Sequence, residues 1–346
     1  MKYDAIIITK TPNFYKRNLY KELSRKLKIH VVFIAAHERM RNSDFSSIRP
    51  IEQFEYTILS ESFEHRNTAK TSVKLVRILM ENSYSKLILG EWVSIEYWIA
   101  LLVSKKSKTI LTLESNIHSI QKIGIKEYFK KLFLKRVGLV LASGVKHVEL
   151  LTVLNFRGKV RTTNGVGIVS YEPVHKIERT NEFLFVGRLS KEKNLETLVK
   201  AFNRLPFKLN LIGEGPEKKR LQEMADSNIS FLGYVHNKEI GKFLVSHRAL
   251  ILISTHEPYG LVAEESLYFG TPVILSSVCG IVKTLCFDGV NCVTVDATSQ
   301  GELEAAIHKM MDGKFYSLLQ TECKPENIIK KDRRQIETYV ESILFE

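Results

Sequence analysis

An α/β protein with two doubly wound parallel sheets is the fold that the sequence predicts, and three observations lead to it. The 346 residues exceed what one hydrophobic core usually supports, so two domains of about 100–200 residues are expected, with a cleft between them. Apolar residues (44%) and charged residues (26%) occur in the proportions of soluble globular chains. Short apolar runs also alternate with helix-length amphipathic segments along the chain, which indicates parallel strands joined by helices.

The predicted strands are continuous apolar runs rather than alternating ones, which is typical of strands buried on both faces of a parallel sheet. In the first half of the chain these runs lie at residues 3–9, 29–35, 86–90, 109–113, 139–143 and 159–163. The pattern starts again after a polar stretch, with runs at residues 183–187, 208–213, 229–233, 249–254, 272–276 and 291–295. We therefore predict two Rossmann-like domains.

The domain boundaries follow from this repeat. We predict a first domain at residues 1–167, a linker at 168–181, a second domain at 182–325 and a terminal helix at 326–346. The terminal segment has helical spacing of apolar residues at Ile336, Tyr339, Val340 and Ile343, and it can pack back on the first domain. Ligands of such sheets bind beyond the carboxyl ends of the strands, so functional residues are expected in the loops that follow strands.

The positive charge is confined to the first half of the chain. Residues 1–170 contain 29 Lys and Arg against 14 Asp and Glu, a net charge of +15, whereas residues 171–346 have a net charge of −2. A basic half indicates an anionic partner, such as nucleic acid, an anionic membrane face or a phosphorylated substrate. Alternatively, it is a solvated Lys-rich surface that keeps the chain soluble.

Targeting segments and cysteines indicate the compartment. No apolar run approaches the roughly 20 residues of a membrane span, and the amino terminus, MKYDAIIITKTP, has no cleavage-site pattern. The cysteines show no Cys-x-x-Cys spacing, which favours reduced thiols over a disulfide or a metal site at Cys279, Cys286, Cys292 and Cys323. We therefore predict a cytoplasmic protein.

The first predicted strand of the second domain leads into a loop with two cations. The strand ends at Gly187, and Arg188 and Lys193 follow before a predicted helix. A guanidinium and an ammonium at one strand end can both bind a diphosphate, the first as a planar fork and the second as a point charge. Either residue alone would more often be a solvated surface charge.

Two further loops of the second domain contain glycines. Gly213 and Glu214 lie between a strand and a helix, and the next strand ends at Gly233, Tyr234 and Val235. The default role of these glycines is structural, because glycine permits positive φ in tight turns. Both loops would also lie at the sheet edge that carries Arg188, where a flat base could rest against the backbone.

The stretch 254-STHEPYGLVAEESLYFGTPVI-274 places a loop carboxylate, Glu257, before a predicted helix. Backbone N–H groups at the helix start can bind phosphate oxygens, and they belong to Tyr259, Gly260 and Leu261. Glu265 can accept hydrogen bonds from two neighbouring hydroxyls of a ribose, whereas we expect the adjacent Glu264 to be a solvated helix carboxylate. Together these groups indicate a nucleotide site.

The run from Glu257 to Glu265, closed by Gly270-Thr-Pro272, resembles the Glu-x7-Glu signature of family 4 retaining glycosyltransferases with the GT-B fold. The resemblance extends in order over about residues 160–300 and is only architectural over residues 1–150. It implies two Rossmann-like domains facing a central cleft, with the acceptor bound by the first domain and the sugar-nucleotide donor by the second. It also implies retention of anomeric configuration without a metal ion, and the sequence contains no Asp-x-Asp.

The resemblance also implies roles for the residues above. Arg188 and Lys193 would neutralise the departing diphosphate, Glu265 would hold the ribose, and Glu257 would lie against the donor sugar. The remaining donor-binding candidates are Gly187, Gly213, Glu214, Gly233, Tyr234, Val235, Tyr259, Gly260, Leu261 and Gly280. The transition state develops negative charge on the phosphate and positive charge on the sugar, so catalysis is mainly electrostatic. No cofactor is implied, and the co-substrate is a UDP or GDP sugar.

The first domain departs from the family's pattern. A His often follows its fourth strand, where this chain reads 111-LTLESNIHS-119, with Glu114 in the expected place and His118 four residues later. Either residue is therefore a candidate partner of the donor sugar. The first loop, 9-TKTPNFYKRN-18, lacks the family's usual pair of glycines, and its acceptor-side candidates are Thr11 and Asn13.

The basic half contains a predicted amphipathic helix at residues 122–138. One helical arc carries Ile125, Tyr128, Phe129, Leu132 and Phe133, with Lys126, Lys130 and Lys135 off the arc and Arg136 inside it. Such a helix either binds anionic lipid at a membrane surface or packs on the sheet with its basic face exposed to solvent. We predict peripheral binding to the inner membrane face.

The sequence thus predicts an enzyme that transfers a hexosyl or related group from a nucleotide sugar to a cell-envelope glycan or a lipid-linked saccharide. The enzymatic alternatives are a GT-B sugar-nucleotide epimerase and a phosphorylase-like enzyme. An alternative of another class is a basic nucleic-acid-binding protein. That class needs stacking aromatic residues among the basic ones or a recognisable module, and because the sequence shows neither, we expect no nucleic-acid partner.

Overall fold

The computed structural model describes residues 2–38, 53–119, 124–169, 171, 174 and 177–345. It divides into two compact units, the first formed by residues 1–170 and 331–346 and the second by residues 171–330. Five residues of the predicted linker, 170, 172, 173, 175 and 176, lie outside the described residues, as do residues 122 and 123 of the predicted amphipathic helix.

The first unit contains a parallel sheet of seven strands within the described residues. These are β1 (Lys2–Thr9), β2 (Ile29–Phe33), β3 (Glu55–Ile58), β4 (Ser83–Leu89), β5 (Thr109–Leu113), β6 (Leu139–Ala142) and β7 (Lys159–Thr162). Their order in the sheet is β3-β2-β1-β4-β5-β6-β7, and each neighbouring pair is parallel. The order reverses between β1 and β4, and ligands of such sheets bind beyond the carboxyl ends of the strands at this switch point.

The second unit contains a parallel sheet of six strands within its described part. These are β8 (Phe183–Val186), β9 (Leu209–Ile212), β10 (Ile229–Gly233), β11 (Ala249–Leu252), β12 (Val273–Ser276) and β13 (Cys292–Val295). Their order is β10-β9-β8-β11-β12-β13, and all neighbours are parallel. The switch point of this sheet therefore lies between β8 and β11.

Helices connect the strands and cover the sheets. The described residues contain α1 (Phe14–Ser24), α2 (Thr68–Glu81), α3 (Ile95–Val103), α4 (Ile125–Lys135), α5 (Val145–Val153), α6 (Leu195–Phe202), α7 (Lys218–Met224), α8 (Asn237–Ser246), α9 (Leu261–Tyr268), α10 (Gln300–Met311), α11 (Gly313–Glu322) and α12 (Pro325–Leu344). None of these helices has the length and apolar character needed to cross a membrane. The last helix starts in the second unit and continues into the first.

Two apolar clusters pack against the first sheet. Successive side chains of a strand point to opposite faces, and Ile6 and Ile7 of β1 accordingly belong to different clusters. The cluster that contains Ile7 also includes Leu19 of α1 and, from the end of the chain, Tyr339 and Ile343 of α12. The carboxyl-terminal part of α12 therefore completes the core of the first unit.

All twelve strands that the sequence predicts are observed, with ends shifted by a few residues. The structure adds β3, which lies at the edge of the first sheet and is exposed at Glu55 and half-buried over the next three residues. An edge strand of this kind does not produce the continuous apolar run on which the strand predictions depend. The cysteine side chains are buried with free thiols at Cys279, Cys286, Cys292 and Cys323.

Candidate active site

The switch point of the second sheet brings two of the predicted loops together. Gly187 and Arg188 follow β8, and the loop that ends at Glu257 follows β11, the neighbour of β8. Nζ of Lys193 lies 2.5 Å from Oε2 of Glu257. The two loops are also joined through the backbone, because the Thr255 N–H donates to the Glu192 carbonyl at 2.9 Å. Residues 64 positions apart in the sequence thus form an ion pair beside the carboxyl ends of β8 and β11.

The surroundings of this pair strengthen the attraction between its charges. Both side chains are mostly buried, and Ser254 Oγ is 3.4 Å from Oε2 of Glu257, as a donor at the limit of a hydrogen bond. Charges attract each other more strongly where water is partly excluded. Lys193 is therefore paired with a carboxylate, whereas the family resemblance assigns its charge to a diphosphate.

Arg188 differs from Lys193 because its guanidinium makes no hydrogen bond or ion pair with any residue in the described part of the chain. Both cations lie close enough to Glu192 to act on it. Burial raises the pKa of Glu192, but a hydrogen bond from Ser190 and the charges of Lys193 and Arg188 hold it below its ordinary value. The loop thus presents a half-buried guanidinium that an anionic ligand could bind.

The residue before α9 is a glycine with positive φ. Gly260 adopts φ of +105°, a left-handed conformation that side chains rarely tolerate. The amides of Gly260 and Leu261 donate to no residue among those described. Gly280 packs against this turn, and its N–H donates to the Glu257 carbonyl at 3.1 Å. No side chain fits at Gly280, because a Cβ there would lie 1.8 Å from the Pro258 carbonyl oxygen.

Glu264 and Glu265, adjacent in α9, have different environments. Glu264 is 0% exposed, and its carboxylate accepts hydrogen bonds from the hydroxyls of Tyr259, at 3.1 Å, and Tyr171, at 3.5 Å. The expectation of a solvated Glu264 is therefore wrong, because two tyrosines supply its hydrogen bonds inside the unit. The half-buried Glu265 carboxylate has no hydrogen-bond partner among the described residues, and burial, together with the Glu264 charge, raises its pKa to about 8.

The glycine loops predicted for the base lie at the same sheet edge. Gly213 donates its N–H to the Gly233 carbonyl at 2.7 Å, and a Cβ on Gly213 would lie 1.9 Å from the carbonyl oxygen of Gly187. Their structural role as close-packed strand ends is thus observed. Beside them, Glu214 is paired with Lys218 at 2.7 Å, Tyr234 is exposed and Val235 is half-buried.

The candidate residues of the first unit have partners within that unit. Glu114, directly after β5, is paired with Lys16 of α1, with 2.7 Å between Oε1 and Nζ. His118 Nε2 lies 3.4 Å from Nζ of Lys146. The hydroxyl of Thr11 donates to Asn13 Oδ1 at 3.2 Å, and both of these residues are buried. Glu114 and His118 therefore face different cations.

Sequence reasoning missed Lys16, and no local signal identifies it. It is one of 29 cations in residues 1–170, and only the order of the strands brings its helix beside β5. Within the described ranges, no group of three or more His, Cys, Asp or Glu side chains has the arrangement of a metal site.

Comparison with known proteins identifies a sequence family over part of the chain. Residues 170–335 match the family model described as glycosyl transferases group 1. An uncharacterized glycosyltransferase of Methanocaldococcus jannaschii is 28% identical over 155 residues, which make up 42% of this chain and 38% of that protein. The chain spans between 38% and 51% of the length of the first curated relatives that it matches.

Solved structures resemble nearly the whole chain. Sucrose-phosphate synthase from Thermosynechococcus elongatus superposes with a TM-score of 0.78 at 17% identity, over 97% of both chains. HepE of Anabaena, crystallised with UDP and glucose, superposes with a TM-score of 0.73 at 13% identity, over 97% of this chain and 99% of that one. At such identities the likeness shows the fold, and it confirms the predicted class of two Rossmann-like domains. Residues 170–335 therefore resemble glycosyl transferases group 1, within a chain that has the GT-B fold.

Proposed function

We propose that this chain is a family 4 retaining glycosyltransferase, which transfers a sugar from a UDP or GDP sugar to a cell-envelope glycan or a lipid-linked saccharide without a metal ion. The observation that carries the proposal is the ion pair between Lys193 and Glu257 at the switch point of the second sheet. The two residues are the cation and the carboxylate that the Glu-x7-Glu resemblance assigns to the diphosphate and the donor sugar. UDP bound to HepE, a structure of the same fold, supports the nucleotide.

The diphosphate would bind between the cations and the start of α9. The Arg188 guanidinium has no partner in the described part of the chain, and a planar fork suits phosphate oxygens. The amides of Gly260 and Leu261 supply further donors at a helix start, where the helix dipole favours negative charge. An arriving diphosphate would compete with Glu257 for the Lys193 ammonium, and the carboxylate would then be available to the sugar.

Transfer replaces one bond at the anomeric carbon by another. The bond from that carbon to the phosphate oxygen breaks, a bond to the acceptor oxygen forms on the same face, and the acceptor's proton passes to the leaving phosphate. Arg188 and Lys193 oppose the negative charge that develops on the phosphate, and Glu257 opposes the positive charge on the sugar. Because these charges are fixed before the reaction, they favour the transition state over the ground state.

Glu265 supports the nucleotide part of the proposal. Its carboxylate is half-buried without a partner among the described residues, and its pKa of about 8 reflects a cost of leaving it charged and unpaired. Two neighbouring ribose hydroxyls would donate to its two oxygens and lower that cost. Glu264, held by Tyr259, would keep the preceding turn in place.

The family resemblance assigns the acceptor to the first unit. The exposed apolar residues of this unit support the proposal that the protein binds the cytosolic face of a membrane. On α4, four residues of the predicted arc are exposed, led by Ile125 at 75% and Tyr128 at 64%, with Phe129 and Leu132. We call these four residues the α4 face. The flanking Lys126 and Lys135 are exposed and would meet anionic headgroups.

Donor turnover tests the proposal. The purified protein is incubated with a panel of UDP and GDP sugars and a saccharide or lipid-linked acceptor, and the nucleoside diphosphate released is measured. We expect turnover to fall by about 100-fold or more in Lys193→Ala and Glu257→Ala, because each removes a charge that acts on the transition state. Lys191→Ala, an exposed lysine of the same turn, is the matched control and should retain parental turnover.

The outcomes separate the proposal from its alternatives. Parental turnover in both active-site variants would rule out the site assignment. Conversion of the sugar nucleotide without an acceptor would indicate the epimerase, and a yellow chromophore in the purified protein would indicate phosphorylase-like chemistry with pyridoxal. Salt-sensitive retention of nucleic acid in a filter-binding assay would support the nucleic-acid-binding alternative.

A further inference from the structure

The switch point of the first sheet, between β1 and β4, also gathers charged side chains. Lys10 follows β1, Glu91 comes two residues after β4, and Glu114 follows β5, the next strand in the sheet. Lys16, from the first turn of α1, reaches Glu114. In a doubly wound sheet this edge is where a ligand binds, so these charges lie where a substrate of the first unit is expected.

The two members of the pair are unequally exposed. The side chain of Lys16 is 10% exposed and that of Glu114 is 28% exposed, so the ammonium approaches from the interior and the carboxylate reaches the surface. Oε1 of Glu114 lies 2.7 Å from the ammonium, and Oε2 makes no hydrogen bond to another residue in the described ranges. One oxygen is thus held, and the other can accept a hydrogen bond from a ligand.

Burying the Lys16 ammonium costs desolvation free energy, so it stabilises α1 poorly. Burial disfavours the charged form of Lys16, but the Glu114 carboxylate and nearby tyrosines hold its pKa well above the usual value. Buried ion pairs can often be replaced by apolar residues without loss of stability, and the neighbouring Leu19 and Tyr20 already pack in the core. Stability alone therefore does not explain a lysine at this position.

We propose that Lys16 is a positioning residue for the transfer reaction: it holds the Glu114 carboxylate at the ligand edge of the first unit, where Glu114 accepts a hydrogen bond from a substrate sugar hydroxyl. The inference rests on the proposed function and adds to it a residue that no sequence pattern indicated. It assigns the sugar hydroxyl to Glu114 and not to His118, whose Nε2 lies 3.4 Å from Nζ of Lys146.

Several titratable groups lie around the pair of Lys16 and Glu114. They are Glu91 after β4, Tyr20 of α1, Tyr97 of α3 and Tyr339 of α12, while the His147 ring lies 3.2 Å from the Glu114 carbonyl oxygen. Burial raises the pKa of Glu91, and the charges of Lys10 and Lys16 oppose that rise. Lys10 is paired with Glu38, so Lys16 is the cation that forms an ion pair with Glu114.

The test is kcat/KM at pH 7 in Lys16→Met, which nearly keeps the length of the side chain and removes its charge. We expect kcat/KM to fall by roughly 10- to 100-fold, because Glu114 loses the cation that holds its carboxylate. Lys16→Arg should restore most of the parental rate, since it returns the charge, and Lys21→Met, in the same helix, should leave the rate unchanged.

Further variants keep the test decisive if Lys16→Met does not fold. Glu114→Gln should lower the rate as Lys16→Met does, and Lys16→Met combined with Glu114→Met, which removes both charges, should fold but stay slow. A folded Lys16→Met with the parental rate, or a Glu114→Gln with the parental rate, overturns the inference. A defect in donor hydrolysis as well as in transfer assigns the hydroxyl to the donor, whereas a raised KM for the acceptor alone assigns it to the acceptor.

Binding of UDP and GDP separates this inference from the proposed function. Lys16→Met should bind the same nucleoside diphosphate as the parent, since the change lies in the other unit. If the parent binds neither nucleotide and turns over no nucleotide sugar, the proposed function fails. If the parent is active and only the Lys16 results differ from those expected, the inference alone fails.

Discussion

Single residues at the two switch points differ in how far the sequence reveals them. Arg188, Lys193 and Glu257 follow predicted strands, so parallel topology alone predicts that their loops meet at one sheet edge. Lys16 has a partner far from it in the sequence, Glu114, and Glu264 has one distant partner, Tyr171, besides the nearby Tyr259. Local spacing does not indicate the distant partners, because packing sets their positions.

Glu265 gives a pH-dependent prediction at this scale. Its pKa is raised to about 8, above the value of about 4.3 for an unfolded chain, so the folded protein loses stability as the pH rises through this window. Glu265→Gln removes the titration. We expect the variant to gain stability relative to the parent between pH 5 and pH 8, by on the order of 1–2 kcal/mol once partial exposure is allowed for.

Urea denaturation at pH 5, 7 and 8.5 measures this difference. Glu223→Gln, an exposed glutamate of the same unit, is the control and should show no pH-dependent gain. A constant difference between Glu265→Gln and the parent across the three pH values would contradict the assignment of Glu265 as a carboxylate that is costly to ionise.

Among the elements, α4 shows what periodicity predicts and what it leaves open. The helix is observed, but its apolar arc divides: Phe133 is buried, with its ring 5.0 Å from that of Trp98 in α3, whereas the α4 face is exposed. Spacing identifies residues that share an arc, but only the neighbouring helix determines how much of the arc is covered. The edge strand β3 was missed for a related reason, because its burial is partial.

The α4 face gives a prediction at the scale of the element. Ile125→Ser combined with Phe129→Ser removes exposed apolar area that would enter the headgroup region, without changing the helix's charge. We expect the parent to float with phosphatidylcholine vesicles that contain phosphatidylglycerol, and the double variant to float several-fold less.

Added salt and a matched variant complete this measurement. Salt should weaken the parent's binding, since the lysines beside the α4 face would act through their charge. Leu318→Ser, an exposed leucine of α11 in the second unit, should float like the parent. Equal flotation of the parent on neutral and anionic vesicles, or none on either, would argue against peripheral binding to anionic lipid.

At the scale of the whole molecule, the two units differ in how much of their role the sequence predicts. Continuous apolar strands predicted both sheets, because burial on both faces is a property of every central strand. The match to glycosyl transferases group 1 begins at residue 170, and the net charge of +15 lies before it. The family match therefore supports the nucleotide part of the proposed function, whereas the acceptor part rests on the resemblance and on the exposed α4 face.

Nucleotide binding should change the stability of the protein in a way that depends on the second unit alone. A ligand that binds only the folded state stabilises it by about 2.7 kcal/mol at 100 times its dissociation constant. We expect UDP or GDP to raise the Tm of the parent and to have little effect on Arg188→Ala.

Thermal denaturation with UDP, GDP and ADP measures this effect and identifies the preferred base. Arg204→Ala, an exposed arginine of the second unit, should respond to the nucleotide like the parent. An Arg188→Ala protein that is stabilised as strongly as the parent would show that this guanidinium does not bind the diphosphate.

The course of α12 has a consequence for synthesis on the ribosome. Residues 331–346 belong to the first unit, and Tyr339 and Ile343 fill its core, although residues 171–330 are made in between. All of the second unit has therefore been translated before the first unit's core can close. The hydrophobic face of the first unit that α12 covers therefore stays exposed until α12 leaves the exit tunnel, after the second unit has been made.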